Sequence, residues 1–202
     1  MKFSKVGENL SSEWKREPCA DQLWDALQQK HVAGNGNAPL SELASSGGPL
    51  AMYYLAVALL DGRYGFDANI SEGERWLRKS FDAGSVEAGY RLSIRNIRAG
   101  AFDSAETILL TLQEKYSPAR YLLAWLYVYK IGDQDRVRCA MSLLKKNCRK
   151  GHIISKGLLG KILIKESDNP IDFFKGIYFY VTGIFEGFIL FRRHPSSDRL
   201  RK

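Results

Sequence analysis

Residues 51–62, AMYYLAVALLDG, decide the fold class because their register of small and large residues returns three more times along the chain. The later copies are AGYRLSIRNIRAG from residue 88, ARYLLAWLYVYK from residue 119 and SKGLLGKILIKE from residue 155. Each copy opens on a small residue, and spacings of four, one and three then place the shared positions on one face of an α-helix. The shared positions are Ala51, Leu55, Ala56 and Leu59; Ala88, Leu92, Ser93 and Asn96; Ala119, Leu123, Ala124 and Tyr127; and Ser155, Leu159, Gly160 and Leu163.

A second segment with helical periodicity follows each of the first three copies, which predicts helix pairs. These segments read EGERWLRKSFDAG, DSAETILLTLQEKY and RVRCAMSLLKKNCRKG, and Gly84 and Gly151 stand where helix C-caps belong. The copies start 37, 31 and 36 residues apart, a period typical of α-solenoids in which each pair buries its apolar face against its neighbours. We therefore predict an all-α fold, an α/α superhelix of four to five antiparallel helix pairs.

The first repeat resembles the Sel1-like repeat family, which is related to the tetratricopeptide repeats. The matching residues are Ala51, Leu55, Gly62, Gly65, Trp76, Lys79, Gly84 and Ala88. The second repeat departs from the pattern, since it lacks the loop glycines and has Asn96 in place of the usual aromatic residue. The resemblance implies a right-handed superhelix whose usual role is to hold other proteins together. It also implies a bacterial origin, because small repeat proteins of this kind are frequent in bacteria.

The remainder of the chain falls into four further segments. We predict an N-terminal tail over residues 1–19 and an imperfect helix pair over residues 20–50, before the repeat solenoid of residues 51–170. A hydrophobic helix follows over residues 171–191, and a basic tail over residues 192–202 ends the chain. Charged residues interrupt the apolar stretch that a secretory signal would need near the N-terminus, so we expect a cytoplasmic protein, with attachment to the inner membrane as a further possibility.

Composition and motifs argue against an enzyme. The chain is 45% hydrophobic and 26% charged, which is typical of a globular protein, and three cysteines are too few for a dense disulfide scaffold. The histidines His31, His152 and His194 are far apart, and the GNG of residues 34–36 is a turn signal. No HExxH, CxxC, GxSxG or P-loop motif is present, so we expect no catalytic residue, metal, cofactor or small-molecule substrate.

Aromatic side chains in the first helices are candidate partner-binding residues. The third position of successive copies holds Tyr53, Tyr90 and Tyr121, a ladder that Gly157 interrupts, and Trp125 lies one turn beyond Tyr121. Because the first helices of a solenoid line its concave surface, these rings could anchor a partner protein. Packing between repeats is the equally open alternative for the same residues.

Three arginines form a second candidate surface. Arg91, Arg95 and Arg98 share one face of the second repeat's first helix, and like charges at this spacing repel one another. We expect this face to meet water or an acidic partner.

The hydrophobic segment IDFFKGIYFYVTGIFEGFILF, residues 171–191, has three open interpretations. It could be the second helix of the last repeat, with its surplus apolar face covering the end of the array. It could lie in a membrane interface with the basic tail on anionic head groups, or it could span the bilayer. Candidate membrane-contact residues are Phe173, Phe174, Tyr178, Phe185, Phe188, Arg192 and Arg193.

These observations favour a non-catalytic adaptor that grips a protein in its concave groove, with envelope or polysaccharide assembly at the inner membrane as one setting. An immunity protein that neutralises a cognate toxin is an alternative with the same physics. The net charge of +8 and the cluster Lys145, Lys146, Arg149 and Lys150 leave a basic nucleic-acid-binding module as another. We do not favour it, because no nucleic-acid-binding motif accompanies the cluster.

Overall fold

The computed structural model describes residues 7–29, 37–166 and 169–201. Within these ranges the chain forms eleven α-helices, a π-helical turn, a 3-10 turn and no β-strand, which confirms the predicted all-α class. Two compact units contain them, one built mainly from Asn9–Asn96 and the other mainly from Ile97–Lys202. The predictions for His31 and for the turn at residues 34–36 lie outside the described residues. The helices are α1 (Glu8–Arg16), α2 (Ala20–Gln28), α3 (Ala38–Ser45), α4 (Pro49–Asp61), α5 (Ile70–Asp82), α6 (Val86–Arg98), α7 (Phe102–Leu112), α8 (Ser117–Leu126), α9 (Gln134–Arg149), α10 (Ile153–Glu166) and α11 (Pro170–Arg193).

The repeated register forms the buried face of the first helices α4, α6, α8 and α10. In all four copies the opening small residue, the leucine and the second small residue are buried. Small side chains let a neighbouring helix come close, while each leucine contributes about 1.5–3 kcal/mol when it leaves water. The fourth position is buried in three copies and only half-buried at Asn96, the residue at which the second repeat departs from the pattern.

The first repeat is the most regular helix pair. Gly62 ends α4 with φ +63°, a left-handed conformation that glycine adopts without strain, and the Asn69 side chain accepts a hydrogen bond from the Glu72 N–H at the start of α5. At Gly73 an added Cβ would lie 2.7 Å from Cγ of Leu60. Only glycine therefore permits the observed approach of α5 to α4.

The N-terminal segment differs from the prediction of a tail over residues 1–19. Residues 8–16 form α1, in which Trp14 is only 1% exposed and packs against Tyr54 with ring centroids 5.5 Å apart. Glu13 accepts hydrogen bonds from the Ser85 hydroxyl at 2.7 Å and from the Glu87 N–H at 3.0 Å. One helical turn later Glu17 accepts from the Leu50 N–H at 2.9 Å.

The carboxylates of Glu13 and Glu17 explain why this N-terminal segment packs against the starts of α4 and α6. The first N–H groups of a helix have no partner within that helix, and a negative charge beside them is favourable. Glu13 meets this need for α6 and Glu17 for α4. A pattern search for apolar periodicity misses α1, because polar contacts as well as Trp14 hold it in place.

The C-terminal hydrophobic segment forms α11, which packs along α10 through glycine. A Cβ on Gly160 would lie 2.7 Å from both the backbone oxygen of Gly176 and the backbone nitrogen of Tyr180. A Cβ on Gly183 would lie 3.1 Å from the backbone nitrogen of Gly157. The two backbones are therefore in direct contact, and the helix docks on the last repeat as the first of the three interpretations expects.

A helix that docks on a neighbour in water is expected to turn its large apolar side chains toward that neighbour. α11 is oriented the other way round. Its glycine-rich stripe faces α10, and Glu186 on the same side pairs with Lys156 at 2.6 Å. Large apolar side chains point outward, so within the described chain they do not cover the end of the array. The expectation that the surplus apolar face covers the end of the array is wrong, because the close backbone contact requires glycine to face inward.

Residues 197–201 of the basic tail fold back onto neighbouring parts of the second unit. A 3-10 turn forms at Asp198–Leu200, with Ser197 and Asp198 buried. Arg199 donates to the backbone oxygen of Gly151 at 2.7 Å, and Arg201 donates to the Tyr116 hydroxyl at 2.8 Å. Residues 192–196, which include the last helical residues of α11, are exposed, and so is Arg199.

The glycine contact between α10 and α11 can be tested by adding one methyl group. Gly160→Ala would place Cβ against backbone atoms that cannot rotate away, so we expect a loss of roughly 1–3 kcal/mol in the free energy of unfolding by urea. Gly157→Ala is the matched control on the same helix, because its Cβ would meet no atom within 4 Å. We expect this control to be neutral or slightly stabilising. Equal unfolding midpoints for the two variants would contradict the contact.

Candidate functional site

A change of helix type at the end of α8 brings two aromatic side chains together. The helix continues into a π-helical turn, Tyr127–Ile131, which ends at Gly132 with φ +74°. π-helical turns are rare and frequently lie at functional sites. Here the turn follows Trp125 and contains Tyr129. The ring centroids of these two residues lie 5.5 Å apart. Trp125 is half-buried and Tyr129 is exposed, so both present ring surface to solvent.

These rings form one wall of a cavity of about 550 Å³ within the second unit, which we call the aromatic cleft. The other walls come from α10, α11 and the C-terminal turn. The lining residues are Tyr121, Trp125, Tyr129, Ile153, Ile154, Gly157, Leu158, Lys161, Tyr180, Gly183, Ile184, Gly187, Phe191 and Leu200. The lining is aromatic and aliphatic with a single lysine, a composition suited to an apolar ligand surface.

The cleft occupies the place where the tyrosine ladder is interrupted. Gly157 stands at the register position that Tyr53, Tyr90 and Tyr121 occupy in the other first helices. It lines the cleft, and an added Cβ there would meet nothing within 4 Å. The missing side chain therefore creates the space, and Tyr121 on the preceding first helix borders it.

One lysine of the cleft lining and a second lysine beside Trp125 place positive charge near the aromatic rings. Lys130 Nζ lies 6.0 Å from the Trp125 ring centroid, and Lys161 Nζ lies 5.7 Å from that of Tyr180. Burial raises the pKa of Tyr121 to about 12, so its phenol is neutral at physiological pH and adds no negative charge. The cleft combines neutral aromatic walls with positive charge at its edge.

A series of buried polar side chains, joined by hydrogen bonds, lies next to Tyr121 of the cleft. The Arg120 guanidinium donates to the Asn147 side-chain oxygen at 2.8 Å, and the Asn147 amide donates to the Ser155 hydroxyl at 3.0 Å. Ser155 Oγ lies 2.9 Å from His152 Nδ1, and His152 Nε2 lies 3.1 Å from the backbone oxygen of Arg201. Because a carbonyl can only accept, Nε2 carries the imidazole proton and Nδ1 accepts from Ser155.

The structure separates the aromatic residues that the sequence grouped together. Trp125 and Tyr121 line the cleft, but Tyr121 is only 8% exposed, so of the two it is Trp125 that offers ring surface to a partner. Tyr53 and Tyr90 are only 7% and 1% exposed within the first unit, so packing explains them and they offer little surface to a partner. Periodicity places these rings on one helix face but does not reveal which part of that face is covered.

The arginine face is largely neutralised within the chain. Arg91 makes two hydrogen bonds to the Asp61 carboxylate at 2.9 and 3.0 Å, and Arg95 contacts Glu74 at 2.6 Å. Arg98 is exposed. The expectation is that this face meets water or an acidic partner; Arg91 and Arg95 stay partly exposed, and the acidic groups that they contact come from the preceding helix pair of the same chain.

The candidate membrane-contact residues all lie on the outward side of α11 or at its end. Phe173, Phe174, Tyr178, Phe185, Phe188, Arg192 and Arg193 are exposed. The structure thus brings them onto one surface of α11.

The other basic cluster lies along α9. Lys146 pairs with Glu114 at 2.6 Å, and Lys145, Arg149 and Lys150 are exposed. Positive charge at a helix C-terminus is favourable without any ligand.

Sequence reasoning missed several residues of the site. Tyr129 follows Trp125 by four positions, so an extended helical register could have found it. Lys161 and Tyr180 come from two other helices, and no single-segment pattern joins them to Trp125. Among the described residues no group of three or more His, Cys, Asp or Glu side chains could hold a metal ion.

Solved structures with the same architecture are bacterial repeat proteins. A Sel1 repeat protein from Oxalobacter formigenes superposes with a TM-score of 0.63 at 20% identity, over 74% of this chain and 62% of that one. A protective antigen of uropathogenic Escherichia coli that displays an SLR fold has a TM-score of 0.62 at 17% identity, over 94% of this chain and 41% of that one. The chain has a Sel1-like repeat fold. It spans less than two thirds of the length of either neighbour.

The comparisons do not extend beyond the fold. An immunity protein from Pseudomonas aeruginosa is a more remote neighbour, with a TM-score of 0.47 at 16% identity over 90% of this chain and 67% of that one. That likeness is too distant to bear on function. No protein-family model and no curated protein matches the sequence.

Titration of His152 should reveal the series of buried polar side chains next to Tyr121. Burial lowers the pKa of His152 from 6.5 to about 4, so the unfolded state takes up the proton first as the pH falls. The stability that depends on neutral His152 is present above pH 6.5 and is lost as the pH falls toward 4, by about 3 kcal/mol in total. We expect His152→Gln to remove this part of the pH dependence of urea unfolding. Parallel profiles for wild type and variant between these pH values would contradict the assignment.

Proposed function

We propose that this chain is a non-catalytic protein-binding scaffold that holds a segment of its partner in the aromatic cleft. The observation that carries the proposal is the cleft itself, where Trp125 and Tyr129 expose ring surface beside the space left by Gly157. Tryptophan and tyrosine are enriched among the interface residues that contribute most of the binding energy, because they bury a large rigid surface at low entropic cost. The typical role of the Sel1-like repeat fold supports the same conclusion.

Charge narrows the chemistry of the partner segment. Residues 97–202 carry 19 Lys+Arg and 10 Asp+Glu, whereas residues 1–96 carry 11 and 12. The excess positive charge therefore belongs to the part of the chain that contains the cleft; Lys161 lines the cleft and Lys130 lies beside the Trp125 ring. We propose that the bound segment is apolar or aromatic with acidic flanking residues, since such a segment fills the cleft and is attracted by its edge.

A cytoplasmic location, a role in envelope or polysaccharide assembly and toxin neutralisation stay predictions. The partner experiment below distinguishes the last two, because an immunity protein has one stoichiometric partner that is toxic when expressed alone.

Replacement of Trp125 should abolish partner capture. Affinity capture from native cells would use tagged full-length protein and its Trp125→Ala variant, with mass spectrometry and densitometry of the recovered partner. We expect at least about 30-fold weaker binding, the effect of losing an interface residue worth about 2 kcal/mol. Trp76→Ala is the matched control, because Trp76 is also half-buried, has Lys79 at 4.3 Å from its ring and lies outside the cleft.

A second variant fills the cleft instead of emptying it. Gly157→Phe would direct a ring into the space that the partner segment needs, and the open surroundings of Gly157 allow it without a backbone clash. We expect Gly157→Phe to lose the partner while keeping the helical circular dichroism of the wild type. Unchanged capture by both Trp125→Ala and Gly157→Phe, or recovery of nucleic acid alone, would contradict the proposal.

A further inference from the structure

The outward side of α11 is an extensive apolar surface. Of fourteen large apolar side chains that are exposed among the described residues, eleven lie on this helix. They are Ile171, Phe173, Phe174, Ile177, Tyr178, Val181, Ile184, Phe185, Phe188, Ile189 and Phe191, and we call them the outward face. At 100° per residue they cover a continuous arc of about 160°. The helix is long and apolar enough to cross a membrane, with a mean hydropathy of 1.3 over an 18-residue window that is 6% buried.

The width of the outward face favours lipid over a protein partner. A helix that packs against one neighbour needs an apolar stripe of about 100°, and a coiled-coil seam is narrower still. Here Phe174 and Phe185 near the centre of the arc are 67% and 66% exposed. A second copy of the chain could cover only part of such a surface, whereas acyl chains conform to all of it.

The contact with α10 favours a helix that lies flat over one that spans. Gly160 and Gly176 bring the two backbones together on the side of α11 opposite the centre of the outward face. A spanning α11 would have to leave this contact or take α10, with Lys156 and Lys161, into the bilayer. An interfacial helix keeps the contact, since α10 lies on the water side.

The charges around α11 complement an anionic surface. Arg192 and Arg193 are exposed at its C-terminal end, where they follow directly on the apolar arc. Lys175 is partly neutralised by Asp172 at 3.0 Å, and Glu186, the other acid of the helix, pairs with Lys156 on the α10 side. No charged side chain belongs to the outward face, and its nearest unpaired neighbours in the sequence are basic.

We propose that α11 lies in the interface of an anionic bilayer, with the outward face among the acyl chains and Arg192 and Arg193 among the head groups. The helix is about 36 Å long and its apolar side would enter the membrane along its whole length. Binding of this kind combines apolar burial with electrostatic attraction, so it weakens with salt but persists.

Vesicle flotation of the purified full-length protein tests the proposal. The vesicles are equimolar phosphatidylcholine and phosphatidylglycerol, compared with phosphatidylcholine alone. We expect the wild type to float with the anionic vesicles and more weakly with the neutral ones. Phe174→Glu combined with Phe185→Glu should lower the apparent affinity at least ~10-fold, because two large apolar contacts are lost and two charges are added.

Matched variants test whether vesicle binding depends on the outward face itself or on exposed apolar residues anywhere in the protein. Ile70→Glu combined with Leu110→Glu makes the same change at two exposed apolar residues outside α11, and we expect it to float like the wild type. Arg192→Gln combined with Arg193→Gln should weaken flotation with anionic vesicles and leave neutral vesicles unaffected. Circular dichroism checks that each variant keeps its helix content.

Three results would overturn the proposal. The first is wild type that stays at the bottom of the gradient with both kinds of vesicle. The second is a wild-type dimer by light scattering that the Phe174→Glu and Phe185→Glu pair dissociates without any effect on flotation, which would assign the face to a second copy. The third is protection of a C-terminal tag from external protease in sealed vesicles, which would indicate a span.

Discussion

The close approach of helix backbones at small residues is the constraint on which the rest of this structure depends. In the first helices, alanine, serine and glycine at fixed register positions are buried against neighbouring helices. In the last helix pair the small residues are glycines. Gly160, Gly176 and Gly183 leave the backbones of α10 and α11 in contact. A helix that turns its glycines inward must turn its large side chains outward. The outward face of α11 is thus a geometric consequence of how that helix is attached.

In α11 Gly176 and Gly183 are buried and large apolar residues are exposed, the opposite of a typical helix in a soluble protein. In water, folding gains free energy when large apolar side chains leave the solvent, and α11 leaves eleven of them exposed. Helices in lipid instead associate through small residues and direct their bulky side chains to acyl chains. α11 resembles the second kind, while α4, α6 and α8 bury leucine beside small residues and follow the first. One chain therefore combines packing rules suited to water in its repeats with rules suited to lipid at its end.

The sequence predicts the repeats well because their register is local. Four positions within one helix suffice to identify a buried face, and all the alanines and leucines of that pattern are buried as expected. The site is harder to predict because it depends on a position without a side chain. Gly157 interrupts the tyrosine ladder, and only the structure shows that this gap is the cleft and that Tyr53 and Tyr90 are packed elsewhere. The α1 segment was missed for a related reason, since the groups that Glu13 contacts are distant in sequence.

The aromatic cleft and the outward face of α11 are adjacent parts of one surface. Ile184 and Phe191 line the cleft and are also 59% and 62% exposed on the outward face. If α11 lies in a bilayer interface, the mouth of the cleft is held beside the head groups, where Lys161 and Arg192 add positive charge. A partner segment with apolar residues and acidic flanks would then be bound close to the membrane surface. The two proposals together limit the partner to a protein whose recognised segment is accessible there, such as a juxtamembrane segment or the end of a membrane-bound protein.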